Sequence, residues 1–377
     1  VRGTPTYSIL ASLTTASLLF ALWLHRTSKT LPAPILLCAL IHYVMVIWIP
    51  LPATGFMMGE RTSKLVALSK AGHWGPNWGL VDPVYDPFPM NIGIPLMASL
   101  ATSLQYYAYE LYLLLYLPFV LGYAAIIYAL AKSATHSWIA GILAVVLLGI
   151  TAPVSILSHE AQWIGNLLVL VATLALIRLT ETETMGSSHI VVINLCYAAA
   201  ILMHTSAAIA LFIPLSIFSV DYILKKSSPD SGHNVPSRKM NFLLTFFVTF
   251  FVITFGRMIY TAGYLEYFLP YIVNFVTEVY GFVEPGTHPS GEPYSPLYER
   301  AGVSPIYAYA WATSLAIATA FMIYLVVRKK IFKENPSIPA LYTAAATFVL
   351  VGYIAGAVFE APLSPSFWRG MYVALPL

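Results

Sequence analysis

Charge is what this sequence has least of. Asp, Glu, Lys and Arg make up 9% of its 377 residues, against roughly a quarter in soluble domains. So few charges cannot cover the surface of a water-soluble globule of this size. Cysteine is equally scarce. Cys38 and Cys196 are the only two, and both fall inside apolar runs. That excludes a disulfide framework or a cysteine-based metal centre and leaves them as expected small core residues, with the redox compartment open. A net charge of +3 comes without any basic surface interleaved with aromatics, which sets nucleic acid aside as a partner.

Apolar length is what the chain has instead. Hydrophobic residues reach 59% and the mean hydropathy is +0.76, which places the chain among polytopic membrane proteins. Crossing a hydrocarbon core of roughly 30 Å takes about 20 helical residues, and the long unbroken runs select helices over a barrel. The expected architecture is an all-α, polytopic transmembrane bundle of about 10–11 spans, a single transmembrane domain over residues 1–377. The spans read as Tyr7 to Leu24, Leu31 to Leu51, Tyr109 to Ala131, Trp138 to Ser155, Gln162 to Leu179, His189 to Thr205, Ser206 to Leu224, Asn241 to Ala262, Ile306 to Val327 and Ile338 to Phe359. An eleventh opens near Met371. Val1 is not a methionine and Leu377 falls within that last run, so the sequence reads as incomplete at both ends.

The piece Asn91 to Leu104 is apolar but only 14 residues long, which predicts a re-entrant or interfacial helix. With that reading the connections alternate consistently. One set holds Arg26, Lys29, Lys132, Arg178, Lys225, Lys226, Arg238, Lys239, Arg328, Lys329, Lys330 and Lys333, which is 12 of the 19 basic residues. Eleven of the 16 acidic residues fall on the other side. Basic residues collect on the cytoplasmic face of membrane proteins, so the N-terminus and the loop from Pro52 to Tyr107 are expected outside. Promoting Asn91 to Leu104 to a full span would invert every later loop and turn the basic clusters outward.

Chemistry is expected in that first outer loop, because carboxylates are rare near the boundary of a lipid-embedded protein. Glu60 stands beside Arg61 at the outer membrane boundary. Met57, Met58, Leu65 and Leu68 then recur at helical spacing with Arg61, Lys64 and Lys70, the pattern of an amphipathic helix lying in the interface. Gly72 ends it. His73, Trp74 and Trp78 follow in a Gly- and Pro-broken stretch, where they serve either as headgroup anchors or as rings that stack on a sugar. Asp82 and Asp86 bracket Tyr85 in a proline-fixed path, as turn residues or as substrate contacts.

The second long outer loop, Gly263 to Pro305, carries Tyr264, Tyr267, Tyr271 and Tyr280 and then a Pro- and Gly-rich stretch, and a loop of this length suits a lid. Glu284, His288 and Glu292 in it match no metal-ligand spacing, so no metal site is assigned. On or near the outer face lie His159 in Ser158-His159-Glu160, His204, and Arg369 next to Trp368. Arg369 suits either headgroup snorkelling or a bidentate grip on a lipid phosphate.

The order Glu60, interfacial helix ending at Gly72, then Tyr85-Asp86-Pro87-Phe88-Pro89 resembles the first outer loop of the type-C polytopic glycosyltransferases of prokaryotic and archaeal kind. That superfamily includes oligosaccharyltransferase catalytic subunits, protein mannosyltransferases and lipid A aminoarabinose transferases. This chain departs from the pattern in one extra span before the loop and in a single Glu60 where an acidic pair is usual. The resemblance implies a polyprenyl-phosphate-linked sugar as donor, taken from the lipids of the plasma membrane and used on its outer face. It implies Glu60 as the catalytic carboxylate, and as substrate-binding residues Arg61, Lys64, Asp82, Tyr85, Asp86, His159, His204 and Arg369. Whether a divalent cation, Mg or Mn, takes part is left open.

Two other classes compete. A secondary transporter would place ionisable residues at mid-membrane in paired broken helices, and the span centres here are nearly free of charge. A non-catalytic membrane subunit or scaffold fits the same composition and stays open.

Overall fold

The structure is a computed structural model that describes residues 5–47, 108–151, 160–181, 187–203, 217, 244–253, 256, 316–317, 319–320, 324 and 337–346. The described residues form α-helices and the turns between them, with no strand among them. Six helices stand out in chain order: α1 Pro5–Leu24, α2 Ala33–Ile47, α3 Ala108–Thr135, α4 Trp138–Thr151, α5 Glu160–Glu181 and α6 Ser187–Met203. Each begins within two residues of an expected span. Shorter helical stretches at Leu244–Ile253 and 337–346 overlap two further expected spans. The segment Asn91 to Leu104 and both long outer loops lie outside the described residues.

Proline sets two of the starts. Pro5 opens α1, where the missing N–H has no intrahelical acceptor to lose. Before α2, the Pro32 carbonyl accepts from the N–H groups of Ile35 (3.0 Å) and Leu36 (3.3 Å). The boundary between α3 and α4 is made by Thr135, His136 and Ser137. Thr135 Oγ1 donates to the Ala131 carbonyl at 2.6 Å, and the Ser137 N–H donates to Thr135 Oγ1 at 3.3 Å. His136, at φ 54°, turns the chain, and the Ser137 carbonyl then accepts from Gly141 N at 3.3 Å as the first bond of α4.

The helices pack in two apolar groups. Leu18 and Leu22 of α1, Ile35 and Ala39 of α2, and Trp138, Ile142 and Val146 of α4 form one. Val169, Ala172 and Leu176 of α5 with Ile193, Tyr197 and Ala200 of α6 form the other, joined by Ile217, Phe246, Ala340 and Ala344. Tyr197 and Phe246 meet edge to face, ring centroids 4.8 Å apart. Helix α3 touches α2, α4 and α5 and so connects the groups.

Two close approaches fix directions. A Cβ on Gly141 would stand 2.6 Å from the Tyr128 ring and 3.0 Å from the Tyr128 carbonyl, so only glycine lets α4 lie back against α3. A Cβ on Gly122 would meet Leu167 at 3.9 Å, which registers α3 against α5 at mid-length. Arg178 of α5 shares a cavity with Lys132 and His136 at the end of α3, so α3 and α5 run the same way. The indole Nε1 of Trp138 donates to the Ser28 carbonyl at 2.9 Å, which brings the α1–α2 turn to the same end.

The outward faces are apolar as well. Leu13, Phe20, Leu37, Ile41, Leu147, Leu195, Leu244 and Val252 are all exposed. Cys38, expected in the core, is exposed beside Leu37, and Cys196 is half-buried. In a run that is apolar on every side, sequence spacing does not mark which face turns inward. By length and composition, one helical segment among the described residues is able to cross a membrane, the 19 residues Leu117–Thr135 within α3.

Candidate functional site

The residues singled out for donor chemistry, Glu60, Arg61, Lys64, Asp82, Tyr85, Asp86, His159, His204 and Arg369, lie outside the described residues. The structure therefore neither brings them together nor separates them. What it does describe is the helical frame, with three polar features.

The first is the basic end of the helices. Every lysine and arginine among the described residues, Arg26, Lys29, Lys132 and Arg178, stands there. Arg26 lies over the Trp23 ring at 4.7 Å, and its Nη1 donates to the Trp23 carbonyl at 3.4 Å. Lys132 and Arg178 occupy the last turns of α3 and α5, where a cation interacts favourably with the exposed carbonyls. Tyr128, Ala129, Lys132, Ser133, His136 and Arg178 line a cavity of about 500 Å³, and Lys132 Nζ is held 5.8 Å from the centre of the Tyr128 ring.

The second is His42, buried in α2. Its Nδ1 is 3.0 Å from Thr14 Oγ1 and its Nε2 is 3.5 Å from Thr15 Oγ1. A neutral imidazole has one donor and one acceptor nitrogen, and a hydroxyl serves either. Both ring nitrogens are thereby matched from adjacent positions of α1.

The third is Asn166 in α5, 2% exposed, with neither amide atom hydrogen-bonded among the described residues. Groups of three or more potential metal ligands do not occur among the described residues.

Sequence reasoning missed His42, His136 and Asn166. A lone polar residue within an apolar run was the available signal for His42 and Asn166. His136 had a weaker one, a Thr-His-Ser break between two helical runs. Comparison with protein families, with curated proteins and with solved structures finds no match to this chain.

Proposed function

We propose that the chain is a multi-pass integral membrane protein that transfers a sugar from a polyprenyl-phosphate-linked donor to an acceptor on the outer face of the membrane. The observation that carries the reading is the order of residues in the first loop: Glu60, the interfacial helix ending at Gly72, and Tyr85-Asp86-Pro87-Phe88-Pro89. Two features of the described helices support a membrane setting. Their outward faces carry large exposed apolar side chains, which water disfavours and lipid accepts. Their cations are gathered at one end, as the positive-inside rule asks of a cytoplasmic face.

In this reading the remaining apolar runs complete a bundle of about 10–11 spans, and Glu60 acts at the outer boundary. An acceptor hydroxyl or amide loses a proton as it attacks the anomeric carbon, and the Glu60 carboxylate takes that proton. The bond from the anomeric carbon to the lipid phosphate breaks, and Arg61, Lys64 or Arg369 neutralises the phosphate that leaves.

The test uses the full chain in proteoliposomes loaded with polyprenyl-phosphate hexoses, with sugar transfer as the readout. Glu60→Gln keeps the shape of the side chain but accepts no proton, and transfer is expected to fall about 10²- to 10⁴-fold. Asp82→Asn, at a turn position, is expected to cost less. Unchanged transfer by Glu60→Gln would sink the catalytic assignment, and no transfer by the wild-type chain would favour a membrane scaffold.

A further inference from the structure

We propose that the α1–α2 turn, together with the aromatic face of α1 beside it, binds an anionic phospholipid. The turn reads His25-Arg26-Thr27-Ser28-Lys29-Thr30, and no Asp or Glu precedes Glu60 in the sequence. It therefore offers two cations and three hydroxyls with no carboxylate of its own. Arg26 and Lys29 are both exposed. The Arg26 guanidinium lies over the Trp23 ring at 4.7 Å and gives one N–H to the Trp23 carbonyl at 3.4 Å. Stacking holds the planar fork in place at little cost to its remaining donors, which suit the oxygens of a phosphate.

The turn is also fixed from within. The Ser28 N–H donates to the His25 carbonyl at 2.9 Å, His25 Nδ1 donates to the Ala21 carbonyl at 3.1 Å, and Trp138 of α4 donates to the Ser28 carbonyl at 2.9 Å. A site held this way loses little freedom when a ligand arrives.

The apolar half of the site runs up α1 from the same turn. Phe20 is 60% exposed and Trp23 57%, with Leu13 and Leu24 exposed on the same side. The Phe20 and Trp23 rings stack, centroids 6.0 Å apart. An acidic segment of another protein would answer the cations alone. A phospholipid answers both halves, its phosphate at Arg26 and Lys29 and its acyl chains along the rings and leucines. The inference rests on the membrane setting proposed above and not on sugar transfer, so the Glu60 experiment and the one below fail independently.

The experiment places the full chain in phosphatidylcholine vesicles that contain phosphatidylglycerol, with brominated acyl chains on one lipid or the other at equal mole fraction. Bromine quenches tryptophan on contact, and the difference between the wild type and Trp23→Phe isolates the Trp23 signal. Brominated phosphatidylglycerol is expected to quench that signal more than brominated phosphatidylcholine, with the preference shrinking as salt is raised. Arg26→Gln and Lys29→Gln are each expected to lower the preference about fivefold while Trp23 stays accessible to both lipids. Because both substitutions are at exposed positions, retained quenching by phosphatidylcholine shows that the fold and the lipid-facing ring persist. Equal quenching by the two lipids, or a preference unchanged in both variants, overturns the proposal and leaves Trp23 a plain lipid-facing ring. A Trp23 signal that neither lipid quenches also overturns it, in favour of a protein partner over this face.

Discussion

His42 shows how a polar side chain is accommodated in an apolar helix pair. With Thr14 and Thr15 matched to its two nitrogens, it ties α1 to α2 from a position that is 1% exposed. His42→Ala is expected to destabilise the chain by about 2–4 kcal/mol, through the cavity it leaves and the bonds it removes. A double-mutant cycle with Thr14→Val, read by thermal or denaturant unfolding in micelles, is expected to give a coupling of about 0.6 kcal/mol. Zero coupling would mean that packing alone carries the effect. None of this was legible in the sequence, because an isolated histidine in an apolar run does not announce its partners 27 and 28 positions away. The same blindness hid His136: Lys132 and Arg178 were read there as markers of sidedness, and only the folded chain shows that they converge.

At the scale of elements, the positions of helices were legible and their facing was not. Runs of membrane length bounded by Pro, Ser-Trp or charge gave the starts of α1 to α6 to within two residues. Cys38 was misplaced because the outward faces are as apolar as the inward ones. Gly141 is a packing residue that the sequence pattern left unmarked. Its hydrogen faces the Tyr128 ring and carbonyl, and the carbonyl is backbone that cannot swing aside. Gly141→Ala is expected to destabilise the α3–α4 pair by about 1–3 kcal/mol, as overpacking does. A lowered unfolding midpoint checks this, and restoration by Tyr128→Ala would leave the carbonyl approach as the smaller part. Gly122 has room beyond 3.4 Å and serves as the control, since alanine there meets only ordinary contact with Leu167.

At the scale of the whole molecule, the proposed topology is the property that the sequence states most fully, and among the described residues Arg26, Lys29, Lys132 and Arg178 stand at one end of the helices. The proposed donor site is the property it states least testably, because its residues lie outside the described ones and no periodicity defines which of them meet. The orientation has its own measurement. Ser231 lies between the basic pairs Lys225-Lys226 and Arg238-Lys239, so Ser231→Cys, in a chain with Cys38 and Cys196 replaced by serine, is expected to escape an impermeant thiol reagent added outside intact cells. Efficient labelling would reverse the sidedness and move Glu60 to the cytoplasm.

The parallel run of α3 and α5 has an electrical consequence. It places Lys132, Arg178 and Glu181 at one end, with Arg26 and Lys29 of the α1–α2 turn, and leaves Glu110 and Glu160 in the first turns at the other. In the proposed orientation the positive end faces the negative interior of an energised cell. Carrying an elementary charge through a potential of 100 mV takes about 2.3 kcal/mol. An inverted copy would hold these charges against the field at a cost on the order of 10 kcal/mol. In that proposed setting the membrane potential would act as a second lock on the orientation chosen at insertion, and a cell that loses its potential would keep only the first.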